Sequence, residues 1–396
     1  MKSSVDVPAP RTRPRNRRAI TLDAATKLFY RDGYASVAMS DIAAATNVGP
    51  SAIYRHFPGK ADILMAAIQA GIAPYVEFLT AAREPRDGSV TEFSTVCTRL
   101  AECALDHREL GVLWQRDARN LFDEQQRPLR EELRVATRLL ASFIADERPE
   151  LDATQADVLA WCALGAVVSI GFHALTLPRA EFVQLLAELV MDIALVPMAA
   201  VHADAPSPRR EVAASETRRE QLITVATELF AERGFSAVGV DDIAEAAGIA
   251  GPSVYAHFPS KLAILTSAID RAAALVRRDA DYVLESHESP QVKLARLVAS
   301  YTRLANRDRF IIRTLISEMD RLPQHDRDIA RRVQRDYIDT WVELRRQFTD
   351  EGSVEARIRV QAVLLVVNDA VQTPHLRSLP GFEATLRRIA GALLGV

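Results

Sequence analysis

Cysteine is scarce in this chain of 396 residues: three in all, an odd number with no CxxC pair. That excludes a disulfide framework and a zinc ribbon. Glycine (16) and proline (19) are also sparse, and they cluster between long stretches rich in Ala, Leu, Arg and Glu. No run of β-branched residues alternates with polar ones for long enough to make a sheet. Repeated strand–helix–strand units are therefore excluded, and with them most nucleotide-binding enzymes. A Gly-rich phosphate loop, a GxSxG elbow, an HExxH pair and paired carboxylates are all missing, so the chain does not read as an enzyme. His107, His173, His202, His287, His325 and His375 have no Cys or His partner at ligand spacing, which leaves no support for a metal or other cofactor. The basic N-terminus runs into no apolar stretch, so a signal peptide is not expected and a cytoplasmic location is. Net charge is only -3, but a whole-chain sum hides local fields. What remains is ordinary globular composition, 48% hydrophobic and 26% charged, long enough for two or three domains of helices.

The chain repeats itself. Leu28-Phe29-Tyr30-Arg31-Asp32-Gly33-Tyr34 is answered by Leu229-Phe230-Ala231-Glu232-Arg233-Gly234-Phe235, and Asp41-Ile42-Ala43 by Asp242-Ile243-Ala244. Tyr54-Arg55-His56-Phe57-Pro58-Gly59-Lys60 is answered by Tyr255-Ala256-His257-Phe258-Pro259-Ser260-Lys261. The offset is 201 each time, and 19 of 48 positions from Arg17 to Leu64 are identical. Leu177-Pro178 with Glu181 matches Leu379-Pro380 with Glu383 at an offset of 202. Two copies of one unit are fused through a polar, proline-containing joint at 201–214.

Each copy opens with helix-turn-helix spacing. In the first, a helix over about 17–31 buries Ile20, Ala24, Leu28 and Tyr30 or its neighbours, and Gly33 ends it as a left-handed cap. A short helix over about 39–45 follows. A third of about two turns starts at Pro50 and a fourth near Pro58. Ala43 and Ala244 supply the small residue where helices two and three meet. Four residues on, Asn47 and Gly248 accept positive φ; six further, Ile53 and Val254 anchor the third helix.

The run of Phe-(x)3-Gly-aromatic, Asp-Ile-Ala and Tyr-x-His-Phe-Pro-x-Lys resembles the DNA-binding domain of the tetracycline-repressor (TetR) family. In architecture the whole chain resembles its tandem-fused members, such as actinobacterial repressors of lipid-import operons. The resemblance implies an all-α fold of two fused units, each a three-helix helix-turn-helix domain followed by a helical ligand-binding and dimerisation domain. The expected divisions are a basic arm at 1–14, a first DNA-binding domain at 15–60 and its helical partner at 61–200. After the linker come a second DNA-binding domain at 215–261 and its partner at 262–396.

It further implies that the third helix of each copy meets base edges. Pro50, Ser51, Ala52, Tyr54 and Arg55 would do so in the first copy, and Gly251, Pro252, Ser253, Tyr255 and Ala256 in the second. Tyr54 with His56, Tyr255 with His257, and the lysines Lys60 and Lys261 are then expected on phosphates; Phe57 and Phe258 are core. Ala38 and Gly239 stand where the family usually carries a capping hydroxyl, and only Ser40, in the first copy, offers compensation.

Charge separates the copies. Residues 1–60 hold ten Lys/Arg against four Asp/Glu, and residues 209–261 six against eight. Arg11, Arg13, Arg15, Arg17 and Arg18 form a basic arm suited to phosphates or a minor groove. Arg218 and Arg219 are diluted by glutamates, so the first copy should supply most non-specific affinity.

The uncharged stretch 158–178 is long enough to span a bilayer. Its polar residues, and Gln361, Asn368 and Asp369 in the matching stretch, point to a buried helix and no membrane. The last helices of each copy would pair in cis as an intramolecular pseudo-dimer, with further self-association open. A pocket for a small lipophilic effector would draw on Trp114, Phe122, Trp161, Phe172 and His173, and on Phe310, Trp341 and Asn368. Cys97, Cys103 and Cys162 read as buried thiols. The expected function is a repressor on double-stranded DNA with an imperfectly palindromic operator, released by that effector. The alternative is a regulator in which only the first unit binds DNA and the second contacts protein or senses effector.

Overall fold

The computed structural model describes residues 17–47, 49–84, 91–198 and 217–396. The arm at 1–14, Arg15 and the linker at 201–214 lie outside them. Among the described residues every regular element is a helix. The first unit holds α1 (Arg17–Asp32), α2 (Met39–Ala45), α3 (Pro50–Ile53), α4 (Lys60–Arg83) and α5 (Phe93–Asp106). It continues with α6 (Leu110–Val112), which widens into a turn over Leu113–Asp117, then α7 (Asp123–Glu147), α8 (Ala153–Val168) and α9 (Arg179–Ala194). The second unit holds α10 (Arg218–Arg233), α11 (Val240–Ala246), α12 (Gly251–Tyr255), α13 (Lys261–Leu284) and α14 (Pro290–Arg307). It ends with α15 (Arg309–Glu318), α16 (Gln324–Arg346), α17 (Ser353–Gln372), α18 (Pro374–Arg377) and α19 (Phe382–Leu394).

Local chemistry starts and stops these helices. Asp152 and Gln155 cap α8 reciprocally, each side chain accepting the other's backbone N–H at 2.8 and 3.0 Å. Gly33 and Gly234 follow α1 and α10 at φ 81° and 80° with ψ near 145°. This is an extended positive-φ conformation open essentially to glycine, and not the left-handed helical cap expected. The buried face of α1 also differs from expectation. Thr21, Ala25 and Phe29 are buried, while Ile20 is 46% exposed. The largest side chain, Phe29, turns the helix by one position so that its ring enters the core.

The uncharged stretch is not one continuous span. The helix stops at Val168, tightens over Ser169–Phe172 and leaves as extended chain. Over the helical part, α8 packs between α7 and α9 of its own unit and α17 of the other, which explains an apolar surface all round. The two units meet along α8 and α9 on one side and α17 and α19 on the other. Gly165 of α8 lies close against Val366 of α17.

Ion pairs and hydrogen bonds cross the same seam. The buried Arg359 reaches Glu188 at 2.8 Å and Asp192 at 2.9 Å. His375 meets Asp157 at 3.2 Å. Asp369 accepts hydrogen bonds from Trp161 Nε1 at 2.9 Å and Gln115 Nε2 at 3.1 Å, both from the first unit.

Burial of Asp369 pushes its carboxyl up to about 6, against the opposing effect of those two donors. A carboxyl raised in the folded state favours folding while protonated, and that contribution is lost as pH rises from the ordinary carboxyl range through about 6. Urea midpoints measured between pH 4 and pH 8 should fall accordingly. In Asp369→Asn that part of the fall should disappear.

Candidate nucleic-acid interface

The helix-turn-helix constraints are met in both copies. Ala43 and Ala244 are buried where the two helices meet. Asn47 (φ 51°) and Gly248 (φ 67°) turn the chain, and Asn47 is the one positive-φ residue other than glycine among those described. Ile53 and Val254, each 1% exposed, anchor α3 and α12 beside the buried rings of Phe57 and Phe258. α3 is a single turn, shorter than the two expected.

On the outer side, Ser51, Tyr54, Arg55 and His56 are exposed in the first copy, with Ala52 half-buried. Pro50 begins α3. In the second copy Pro252, Ser253, Tyr255 and His257 are exposed and Gly251 is half-buried. A tyrosine more than half exposed at the same place in both copies, with an exposed histidine two residues on, is a surface built for a polar partner. The Arg18 guanidinium stacks on Phe57 at 5.0 Å and that of Arg219 on Phe258 at 4.6 Å, Arg219 also donating to Ser267 at 3.0 Å. Arg218 donates to Gln221 at 2.7 Å. Arg17 is half-buried, its Nε without a partner among the described residues.

Lys60 and Lys261 each bind backbone carbonyls of their own head. Lys60 Nζ donates to the carbonyls of Tyr34 and Val37, both at 2.8 Å, and lies over the Tyr34 ring. Lys261 does the same to Phe235 at 2.7 Å and Val238 at 2.6 Å, over the Phe235 ring. Two of three N–H bonds are thus spent inside each domain, and burial lowers both pKa values. These bonds fasten the α1–α2 and α10–α11 connections.

The helix-two cap is likewise rebuilt. Asp41 accepts the Ala38 N–H at 2.7 Å and Asp242 the Gly239 N–H at 2.6 Å. Ser40 is exposed and forms no hydrogen bond among the described residues, so it does not compensate for the missing hydroxyl. Its counterpart is Asp241, whose carboxylate lies against Gly251 at the start of α12. A negative charge there competes with phosphate.

Comparison with known proteins agrees with this geometry. The family described as bacterial regulatory proteins, tetR family, matches twice, at residues 22–67 and 222–268. Each copy thus carries a tetR-family segment, and the two stand in tandem. It is 28% identical to the transcriptional repressor KstR2 of Mycolicibacterium smegmatis over 46% of this chain and 88% of that protein. It is 43% identical to the transcriptional activator FasR of the same organism, over 14% of this chain and 26% of that protein. A crystal structure of a TetR-family regulator from Bordetella parapertussis covers 44% of this chain and 93% of its own length, at 20% identity and a TM-score of 0.40. The two matched segments and the named relatives support a DNA-binding transcriptional regulator.

Behind the second tetR head lies a cavity of about 450 Å³ between α13, α14, α15, α16 and α17. Its wall is largely apolar, with Ile269, Val276, Ile312, Leu315 and Leu364. A polar edge is formed by Gln361 and by Tyr301, which donates to Asn368 at 2.7 Å. Phe172 of the first unit completes it. In the first unit the equivalents of Ala272, Val276 and Ile311 are Gly71, Tyr75 and Leu110. There Leu110 packs directly on Gly71 and Tyr75 is buried, so that space is filled.

Of the aromatic and polar residues expected around a pocket, Phe172 and Asn368 line this cavity. The others are elsewhere. Trp341 is fully buried behind its wall against Tyr301 and Tyr337. Trp161 sits in the seam between units. Phe122 is 76% exposed at the start of α7. Phe310 lies under Arg309, and Trp114 is half-buried in the wide turn. His173 is bound to Leu175 N–H, and burial pushes its ring down to about 4. Cys97 and Cys162 are buried and Cys103 half-buried; burial raises all three thiols.

Two residues were missed in the sequence. Asp117 accepts the Tyr34 N–H at 3.3 Å, and Glu318, 201 residues on, accepts that of Phe235 at 3.2 Å. An acid kept at the duplication offset was the available signal.

Asp241→Ser, which gives the second copy the residue of the first, should tighten binding to the second half of an operator roughly threefold or more. The first half should be unaffected, as read by footprint titration.

Proposed function

We propose that the chain is a repressor whose two units act as an intramolecular pseudo-dimer on one imperfectly palindromic operator. The observation that carries this reading is the duplicated helix-turn-helix, its turn and anchor satisfied by different residues in each copy. The α8–α9 and α17–α19 seam supports it, because at millimolar effective concentration a fused partner outcompetes a separate chain. A two-fold pair of this kind sets its reading helices about one DNA turn apart, roughly 34–36 Å. The divisions at 1–14, 15–60, 61–200, 201–214, 215–261 and 262–396 are part of this proposal, with the arm and Arg15 on DNA backbone or minor groove. So is a cytoplasmic location. KstR2 is a repressor and FasR an activator by name; the promoter-occluding reading follows from two heads gripping one site.

The effector is a small molecule with an apolar body, matched to the wall around Leu315 and Leu364, and with polar groups for Tyr301, Asn368 and Gln361 and for the charged part of the lining at Asp308, Arg331, Arg335 and Arg357. Binding to the DNA-incompetent state favours release; a hundredfold loss of operator affinity requires about 2.7 kcal/mol of coupling. The second reading, a first head that binds DNA beside a second unit that mainly senses effector, is favoured by Asp241 against Gly251.

Selection of bound sequences from random duplex DNA, followed by footprinting, decides between them. Two protected half-sites fit the pseudo-dimer, and one fits the second reading. Replacing Arg17 and Arg18 by Ala should flatten the salt slope by up to about 2, more than replacing Arg218 and Arg219 does. Leu364→Trp, filling the cavity, should leave operator affinity unchanged and abolish effector-dependent release in a reporter assay.

A further inference from the structure

The two heads are fastened to the helices behind them by the same device, but its parts come from different places. In the first unit Asp117, buried, takes the Tyr34 N–H. Its partner is the adjacent Arg116, which also donates to the carbonyls of Phe29 and Tyr30. This guanidinium stands over the Gly33 turn. In the second unit Glu318, 1% exposed, takes the Phe235 N–H. The residue equivalent to Arg116 is Ser317, which cannot neutralise it. The guanidinium that stands over the Gly234 turn instead belongs to Arg119 of the first unit. Arg119 pairs with Glu318, and donates to Ser317 Oγ and to the Ser317 carbonyl, both at 3.0 Å.

We infer that Arg119 is a positioning residue acting across units: the first unit holds the second reading head. A buried carboxylate without a counter-charge costs far more than a paired one, so Glu318 depends on this donor. Arg321 approaches only its other oxygen, at 3.9 Å. The second head is also tied to its body by the packing of α10 on α15, where Thr314 donates to the Thr227 carbonyl at 3.4 Å. Its apolar core forms a cluster of its own, whereas that of the first head is continuous with the helices behind it. Tyr30, which donates to Gly171 at 2.7 Å, is replaced by Ala231 in the second copy. Leu315 packs against both apolar clusters and lines the cavity, while Ser317 and Glu318 at the end of the same helix carry the latch. Movement of α15 is therefore felt at Phe235. The consequence for DNA rests on the two-headed reading above; the latch itself does not.

Hydrogen exchange on the full chain without DNA tests it. In Arg119→Ala, amides over 235–238 should exchange roughly tenfold faster or more, while those over 34–37 keep their rate. Arg116→Ala should reverse the pattern. Adding Ser317→Arg to Arg119→Ala rebuilds the first copy's arrangement in cis and should restore protection. Unchanged exchange over 235–238, equal loosening of both connections, or failure of the added arginine to rescue would each overturn the inference.

Discussion

The structure turns on one short segment in each copy, the connection that leaves the first helix of the reading head. At Tyr34 and Phe235 the backbone N–H is taken by a carboxylate from the helices behind, and the carbonyl by a lysine of the head itself. A residue whose two flanking peptide units are held in opposite polarity, one by its N–H and the other by its carbonyl, cannot rotate without breaking a charge-assisted bond. The glycine before it, held at φ near 80°, leaves few conformations to escape into. The orientation of each recognition helix is thereby referred to the body of its unit, and an all-helical protein gains a rigid corner where helix packing alone would allow sliding.

Around that shared corner the copies have diverged in complementary ways. The first head carries the favourable charge balance, a core continuous with its supporting helices, and a body whose interior is filled by Tyr75 and Leu110. The second carries Asp241 where the first has Ser40, a core that forms its own cluster reaching the body at Leu322, and a body with a cavity. A homodimer cannot divide labour in this way, because each substitution appears twice. Duplication within one chain removes that restriction.

The sequence made the local parts legible. Ala43, Asn47 and Ile53, with Ala244, Gly248 and Val254, follow from steric needs that act within ten residues, and they stand as expected. The face of α1 was displaced because Ile20, Ala24 and Leu28 and the set Thr21, Ala25 and Phe29 both satisfy helical spacing; only packing against α4 decides. The cavity was harder still. Aromatic content says that Trp161, Trp341 and Phe122 exist, but their places in a seam, a core and a surface depend on how α16 and α17 cross. Arg119 and Glu318 lie 199 residues apart with no local pattern between them.

The cavity of the second unit has one more implication. A symmetric dimer binds two effector molecules, and its response to dose can be sigmoidal. In this chain the corresponding space of the first unit is occupied by its own side chains. On the proposed reading, induction through this cavity of the second unit would follow a simple hyperbola, graded in proportion to occupancy and without a threshold.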